Sequence, residues 1–341
     1  MTATAENTAR SRAARRRERE RGNPKSERAR AETRLGWMLA GPAFLVMLAV
    51  TAYPIAQAVF DSLFSFRLTA PDDRSFVFLD NYILLFTDPG FWKPFGVTVL
   101  ITVVTVAVEL VLGFALALVM HRALKSLRGM LRTAILVPYG IITVVSAFAW
   151  YYMFDINSGF VNSWFGWVPG IDSELDWFAN FGTAVTVIMA SEIWKTTPFI
   201  ALLLLAGLAQ VPDELVEAAR VDGATWWQQM RRVIIPNMKA AIMVALLFRA
   251  LDAFRVFDNV FIMTAGDADT EVLALLAYRQ SISRLEIGLG SAVSVVLFAC
   301  VLLMCFIAVK MFKVDLASGT DASGGSGRRK KAARADEGGQ K

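Results

Sequence analysis

The chain has 341 residues, of which 55% are hydrophobic, whereas a soluble domain of ordinary composition is about 45–50% apolar. A formal net charge of +5 would suit a nucleic-acid-binding protein, but most basic residues lie in two tails and two short loops beside apolar segments. That distribution argues against a nucleic-acid partner and is typical of the cytoplasmic face of a membrane protein.

The first segment, residues 1–34, holds eleven Lys and Arg residues and few large apolar side chains. Such a composition cannot bury enough surface to order itself, so it predicts a disordered cytoplasmic tail. Attraction to anionic lipid is the alternative interpretation. Residues 313–341 are predicted to form a second disordered cytoplasmic tail.

Six apolar runs between the tails are each long enough to cross the ~30 Å hydrocarbon core of a bilayer as a helix. The predicted spans are Leu35–Leu63, Phe95–Met120, Leu131–Phe154, Thr183–Ala209, Lys239–Thr264 and Gly288–Phe312. With the N-terminus inside, 27 of the 35 Lys and Arg residues fall on the inner side and 5 on the outer side, as the positive-inside rule expects. The sequence therefore predicts an all-α membrane protein with six transmembrane helices in residues 35–312 and both termini in the cytoplasm.

The predicted outer loop between the third and fourth spans has no Lys or Arg. It interleaves four acidic residues with three tryptophans: Asp155, Asp172, Glu174 and Asp176 with Trp164, Trp167 and Trp177. One interpretation is an aromatic belt at the membrane interface with a solvated acidic loop. The other is a docking surface for an external partner.

The predicted inner loop between the fourth and fifth spans reads as two short helices around a glycine. Pro212 suits a first helical position, and Gly223 suits the left-handed residue that ends a helix. Thr225 and Gln228 have the spacing of a capping box that begins a second helix. Pro236 then marks the break before the fifth span.

We call this loop, residues 210–238, the elbow. Ala218 and Ala219 keep one of its faces slim enough for close approach, and Glu217 adds a charged group at the edge of that face. An elbow on the basic side of a membrane domain favours docking to a partner. The alternative is an amphipathic loop that lies on the lipid surface.

Charged side chains inside the spans cost at least a few kcal/mol each and are functional candidates by default. The fifth span carries four of them at intervals of three residues: Arg249, Asp252, Arg255 and Asp258. On one helix this spacing predicts a stripe of alternating charge. The fourth span adds Glu192 and Lys195, and the second adds Glu109. These groups either neutralise one another to fix helix packing or line a transport cavity.

The elbow carries a family resemblance. Residues 217–236 read EAARVDGATWWQQMRRVIIP, which resembles the EAA loop of binding-protein-dependent ABC importer permeases. The family pattern ends I-x-L-P, so Val233 and Ile235 are conservative departures. The resemblance implies the type I ABC importer permease fold and a coupling helix that docks on a cytoplasmic ATPase. The coupling residues it points to are Glu217, Ala218, Ala219, Asp222, Gly223 and Pro236.

A second resemblance lies at the end of the fifth span. Residues 257–264 read FDNVFIMT, similar to the F-D-x-I-Y-x-L-T signature of carbohydrate permeases in this superfamily. Residues 265–268 depart from the x-G-G-P that usually follows. In disaccharide permeases the sugar contacts come from this helix and from the stretch before the EAA loop. Together with the intramembrane charges, the implied substrate pathway is Glu192, Lys195, Thr196, Phe199, Arg249, Asp252, Arg255, Val256 and Asp258.

The resemblance also implies the partners and the substrate. Over essentially its whole length the chain is similar to trehalose permeases of the maltose/trehalose type, a likeness carried by residues 136–142, 192–200 and 245–260. This likeness implies trehalose as the sugar. Implied partners are a second permease subunit, a cytoplasmic ABC ATPase dimer, an extracytoplasmic sugar-binding (lipo)protein and membrane lipid. The implied location is a bacterial inner (plasma) membrane.

The chain has no arrangement for bond-making chemistry, and it lacks the Gly-x-x-x-x-Gly-Lys-Ser/Thr phosphate loop. We therefore expect that it is not itself an enzyme, that it holds no metal or cofactor, and that ATP and Mg²⁺ bind to the partner ATPase. The alternative functions are an ion-coupled secondary sugar carrier, motivated by carboxylates within the spans, and a membrane anchor or receptor without transport activity.

Overall fold

The computed structural model describes residues 24–122, 126, 128–168, 170–171 and 174–312. The predicted tails therefore lie outside the described residues at 1–23 and 313–341. Within the described ranges the chain is helical, as the apolar runs predict. Four helices are long and apolar enough to cross a membrane, or five if a bent pair counts as one span.

The first helix, α1, covers Pro24–Asp61, and the chain up to Phe60 forms a unit by itself. α1 begins before Leu35, so residues 24–34, which were predicted to belong to the tail, are helical. The proline fits a first helical turn, and the Ala, Arg and Glu residues that follow are strong helix formers. Composition alone had suggested disorder because these residues offer no apolar surface.

The second unit begins at Asp61 with an antiparallel hairpin of β1 (Phe64–Arg67) and β2 (Ala70–Phe76), followed by α2 (Asp80–Thr87). The hairpin adds strand structure to a fold predicted to be all-α. Its strands are short, and an alternation of four residues cannot be distinguished from a loop in the sequence. The backbones of Arg67 and Glu286, just before the last helix, form an isolated antiparallel β-bridge. Their side chains form an ion pair of 2.5 Å.

Three long helices correspond to the second, fourth and sixth predicted spans: α3 (Pro89–Arg122), α7 (Phe181–Leu208) and α14 (Ile287–Phe312). α3 and α7 pack closely where Gly113 meets Ile200. A Cβ atom at Gly113 would lie only 2.7 Å from Cγ2 of Ile200, so the contact requires glycine. Small residues permit such close approach of membrane helices.

The predicted third span is not one straight helix. It consists of α4 (Arg128–Gly140) and α5 (Thr143–Phe154), which meet at an angle of 86°. Pro138 removes a backbone hydrogen-bond donor near the end of α4, and such a residue commonly bends or ends a helix. A short helix, α6 (Val161–Phe165), follows in the next loop.

The predicted fifth span is also interrupted. Helix α11 ends at Ala253, and α12 begins at Asp258. The backbone N–H groups of Arg255 and Val256 donate to carbonyls three residues earlier, which tightens the end of α11. Asp258 then lies in the first turn of α12, where the helix dipole favours an acidic side chain.

The remaining helices form the elbow and the approach to α14. The elbow contains α8 (Asp213–Val221), α9 (Trp226–Gln229), a π-helical turn (Met230–Ile234) and α10 (Ile235–Asn237), and it leads into α11 (Lys239–Ala253). α13 (Leu273–Tyr278) and a second π-helical turn (Arg279–Ser283) precede α14.

Candidate functional site

A buried arginine lies at the centre of the candidate site. The side chain of Arg249 is 2% exposed, and it pairs with three carboxylates from α3, α7 and α11. Its Nε and Nη2 donate to the two carboxylate oxygens of Glu109 at 2.5 and 2.9 Å. Nη2 also donates to Glu192 at 3.0 Å, and Nη1 donates to Asp252 at 2.7 Å. The guanidinium therefore uses four of its five N–H donors on acidic partners.

Neutral polar groups complete this network. Thr196 donates its hydroxyl to Oε1 of Glu109 at 2.7 Å. Nδ2 of Asn259, in α12, donates to Oε1 of Glu192 at 2.6 Å. Glu109 and Asn259 are fully buried, and the Glu109 carboxylate is neutralised by its ion pair with Arg249. Buried ions are tolerated only when they are paired and hydrogen-bonded in this way.

A cavity of about 400 Å³ opens beside the network, within the range of small-molecule sites. It is lined by Tyr139, Thr143, Glu192, Lys195, Thr196, Arg249, Asp252, Arg255, Val256, Phe257 and Asp258. Asp252 is 73% exposed, so it presents a solvated carboxylate at the cavity wall while it pairs with Arg249. The two interpretations of the charges thus apply to different residues: Glu109 and Arg249 form a buried pair, and Asp252 faces open space.

Eight of the nine predicted pathway residues line this cavity. The ninth, Phe199, is not part of the lining but packs against it, because its ring stacks on that of Tyr139 with centroids 5.3 Å apart. The ammonium group of Lys195 lies 5.8 Å from the centroid of the Tyr139 ring. Tyr139 and Thr143 were not predicted, since they lie on opposite sides of the bend between α4 and α5. The sequence marks Glu109 as a charge inside a span but does not predict its pairing with Arg249.

The expected stripe of four charges does not form on one helix. Arg249 and Asp252 lie on α11, whereas Arg255 lies in the interruption and Asp258 begins α12. Among the described residues, the ion pair between Arg249 and Asp252 is the only one within this set of four. The break redirects the backbone, so residues three apart in the sequence no longer lie on one helical face.

The glycine and the capping box of the elbow have the local structure that their residues predict, whereas Pro212 is the N-cap of α8 and not its first helical residue. Gly223 has φ +78° and ends α8. The side chain of Thr225 accepts from the Gln228 backbone, and the Gln228 side chain accepts from the Thr225 backbone, which completes the capping box. α8 has no buried residue, and Glu217 and Ala218 are exposed. Asp222 and Gly223 are exposed as well, and Ala219 is half-buried, while Pro236 lies in the short α10.

The tryptophans of the predicted outer loop differ in exposure. Trp177 packs edge-on against Phe154 with centroids 5.1 Å apart and donates to Asn162 at 2.6 Å. Trp164 and Trp167 are 68% and 79% exposed. Trp177 thus belongs to the folded loop, whereas the other two present apolar surface. Asp172 lies outside the described residues.

Asp155 organises the start of this loop. Its carboxylate accepts from the backbone and hydroxyl of Ser158 and from the backbone of Asn157, at 2.7–3.0 Å. These bonds, with those from Ser158 the strongest, hold the pKa of Asp155 below its usual value. The described residues contain no group of three or more His, Cys, Asp or Glu placed to hold a metal ion.

The chain is similar in sequence to known membrane transport proteins. Residues 109–313 match the family described as "Binding-protein-dependent transport system inner membrane component". The trehalose transport system permease protein SugA of Mycobacterium tuberculosis is 46% identical over 282 residues, which cover 83% of this chain and 90% of the relative. The trehalose/maltose transport system permease protein MalF of Thermococcus litoralis is 34% identical, with 82% and 94% covered.

A similar fold occurs in a solved structure. The crystal structure of a bacterial ABC transporter involved in the import of the acidic polysaccharide alginate contains a chain that superposes with a TM-score of 0.71. The alignment covers 84% of this chain and 98% of that one, at 20% sequence identity. This likeness concerns the fold.

Proposed function

The chain belongs to the family of binding-protein-dependent transport system inner membrane components, and on this premise we propose that it is a permease subunit that carries trehalose into the cell. It is a multi-pass protein of the inner membrane and a permease of an ABC sugar importer. The cavity beside Arg249 carries the proposal, because it combines paired charges with aromatic faces inside the membrane domain.

The lining of the cavity suits a neutral sugar. Three acidic and three basic side chains line it: Glu192, Asp252 and Asp258, and Lys195, Arg249 and Arg255. With Glu109 also paired to Arg249 behind the lining, the site holds no excess of positive charge that would bind an anionic substrate. Sugar hydroxyls both donate and accept hydrogen bonds, so they can use both kinds of group. The rings of Tyr139 and Phe257 offer apolar faces for the sugar rings.

The elbow would transmit motion from an ATPase dimer. The exposed face around Glu217 and Ala218, fixed by Gly223 and the following capping box, would dock in the ATPase subunit, which binds ATP and Mg²⁺. Closure of the ATPases around ATP would then move the permease between inward-facing and outward-facing states. Arg249 and its three carboxylate partners join α3, α7 and α11, so these helices would move as one body.

The topology is proposed from the charge distribution. Six crossings with both termini in the cytoplasm place the elbow on the same side as the ATPase. The interrupted segment from α11 to α12 would then form the fifth crossing, with its irregular backbone facing the cavity, where such backbone is tolerated. A second permease subunit would complete the pathway. The exposed Trp164 and Trp167 would contact the extracytoplasmic sugar-binding protein.

Uptake by membrane vesicles that contain the assembled transporter tests this function. We expect uptake of radiolabelled trehalose to require ATP on the elbow side and to survive an ionophore that collapses the proton gradient. A panel of maltose, sucrose and glucose measures specificity. Uptake that stops with the ionophore and ignores ATP would instead establish the ion-coupled carrier. Membranes with no uptake of any sugar, although the complex is intact and hydrolyses ATP, would overturn the proposed substrate class.

A further inference from the structure

An apolar groove of about 400 Å³ lies between the C-terminal part of α3 and the part of the elbow that follows α8. α3 contributes Val111, Phe114 and Leu118, and the elbow contributes Trp226 and Trp227. The ten described residues that line the groove all have apolar side chains. Val111 and Trp227 are 69% and 62% exposed, so the groove is open to its surroundings.

A smaller cavity of about 230 Å³ adjoins this groove and shares Leu118 and Trp226 with it. The charged or titratable side chains along its wall are His121, Arg122, Asp213 and Arg220. The guanidinium carbon of Arg122 lies 5.8 Å from the ring centroid of Trp226. One tryptophan therefore separates an apolar compartment from a compartment with two arginines and one aspartate.

We propose that the two compartments together bind one anionic glycerophospholipid. An acyl chain would lie in the apolar groove, and the phosphate would lie between Arg122 and Arg220. The planar guanidinium forks of arginine bind phosphate in a bidentate manner. Two arginines against one aspartate leave a positive charge for an anionic headgroup.

The order of these groups along α3 matches the orientation of a lipid in a bilayer. The groove follows α3 from Leu110 to Leu118, a rise of about 12 Å, and Arg122 lies one turn further on, in the last turn of the helix. The apolar wall is thus deeper in the span and the cation is at its end. Trp226 lies between them, at the level where tryptophans concentrate in membrane proteins.

Charge complementarity selects the lipid among the occupants of such a groove. An apolar helix of a partner subunit would cover the ten groove residues but would leave the excess positive charge of the two arginines over Asp213 without an anion. A free phosphate would pair with the arginines but would leave the groove empty. The proposal is independent of the transported sugar, because no residue of the sugar cavity lines either compartment.

Photo-labelling of the assembled transporter tests the site. The complex is reconstituted in vesicles of phosphatidylglycerol and phosphatidylcholine, with a trace of either lipid that carries a diazirine in its acyl chain. We expect phosphatidylglycerol to label peptides that contain residues 110–118 or 226–235. Ala115→Trp fills the groove and should lower this labelling about tenfold. The control Val103→Trp changes an exposed residue of the same helix outside the groove and should leave the labelling unchanged.

The headgroup preference is measured with a second pair of variants. Arg122→Gln should reduce the preference for phosphatidylglycerol over phosphatidylcholine about fivefold, the effect of one basic residue at a membrane surface. Arg132→Gln removes an exposed charge from α4 and should not change the preference. Equal labelling of Ala115→Trp and Val103→Trp would overturn the proposal, and so would labelling of the unmodified protein without headgroup preference. So would the absence of lipid label in an assembled complex whose groove residues cross-link to another subunit.

Discussion

The guanidinium of Arg249 holds both carboxylate oxygens of Glu109, a residue 140 positions earlier in the chain, through hydrogen bonds of 2.5 and 2.9 Å. The two side chains are 2% and 0% exposed. This pair joins α3 to α11 at the depth of the cavity, and Glu192 adds α7. We infer that its main role is to fix three helices, since Glu109 does not line the cavity and Arg249, which does, uses four of its five N–H donors on acidic partners.

Loss of the buried cation should destabilise the protein. Arg249→Met removes the ion-pair partner of the buried Glu109 and Glu192, and removing one partner of a buried ion pair costs about 3–5 kcal/mol. We expect a large fall in the stability of the purified complex, which is measured by thermal or chemical unfolding. Arg255→Met is the matched control, because Arg255 is exposed, and it should change stability by less than about 0.5 kcal/mol.

The coupling within the pair can be measured separately. In a double-mutant cycle of Arg249→Met and Glu109→Gln, the double variant should be more stable than the sum of the single losses, by more than about 1 kcal/mol. Strictly additive losses would mean that the two groups do not stabilise each other.

Asp252 should matter for transport more than for stability. Its side chain is 73% exposed, so solvent screens its interaction with Arg249, and exposed pairs contribute about 0–1 kcal/mol. A hydrogen bond from a sugar hydroxyl to a carboxylate contributes about 1.5–3 kcal/mol, so Asp252→Asn should raise the KM for uptake roughly tenfold to 150-fold. The control is Asp267→Asn, an exposed residue that does not line the cavity. Normal uptake by the Asp252 variant would assign this carboxylate to helix packing alone.

Gly223 should be required for contact with the ATPase. A Cβ atom there would meet nothing within 4 Å, but the φ of +78° penalises a β-branched residue. The left-handed conformation costs about 1–2 kcal/mol, so Gly223→Val should reduce retention of the ATPase on the purified complex and lower uptake. Gly223→Asn is the matched control, because asparagine adopts this conformation readily. If the valine variant retains the ATPase and transports normally, the elbow is not the coupling element.

Gly113 should limit the distance between α3 and α7. Gly113→Leu places a side chain against Ile200 and the backbone of Ala201, and overpacking of this kind costs about 1–3 kcal/mol. Gly96, on the same helix, has open space where its Cβ would lie, so Gly96→Leu should be tolerated. The unfolding temperatures of the two purified variants give the comparison. Equal values would show that the contact at Gly113 can relax.

Local features of the protein followed from the sequence by itself. The left-handed Gly223 and the capping box of Thr225 and Gln228 depend on residues within a few positions of one another, so the sequence alone predicts them. The positions of the long helices follow from runs of apolar residues, because a bilayer requires a minimum length of such a run. Charges within these runs indicate functional residues in α7 and α11, because a charged side chain inside a membrane span is costly.

The tertiary structure alone decided how those charges are used. The break after Ala253 separates Arg255 and Asp258 from the helix of Arg249, and the bend between α4 and α5 brings Tyr139 to the cavity. Pairing of Arg249 with Glu109 depends on the packing of α3 against α11, which no local pattern encodes. A buried charge must find a partner, but which partner it finds depends on helices that are far apart in the sequence and adjacent in space.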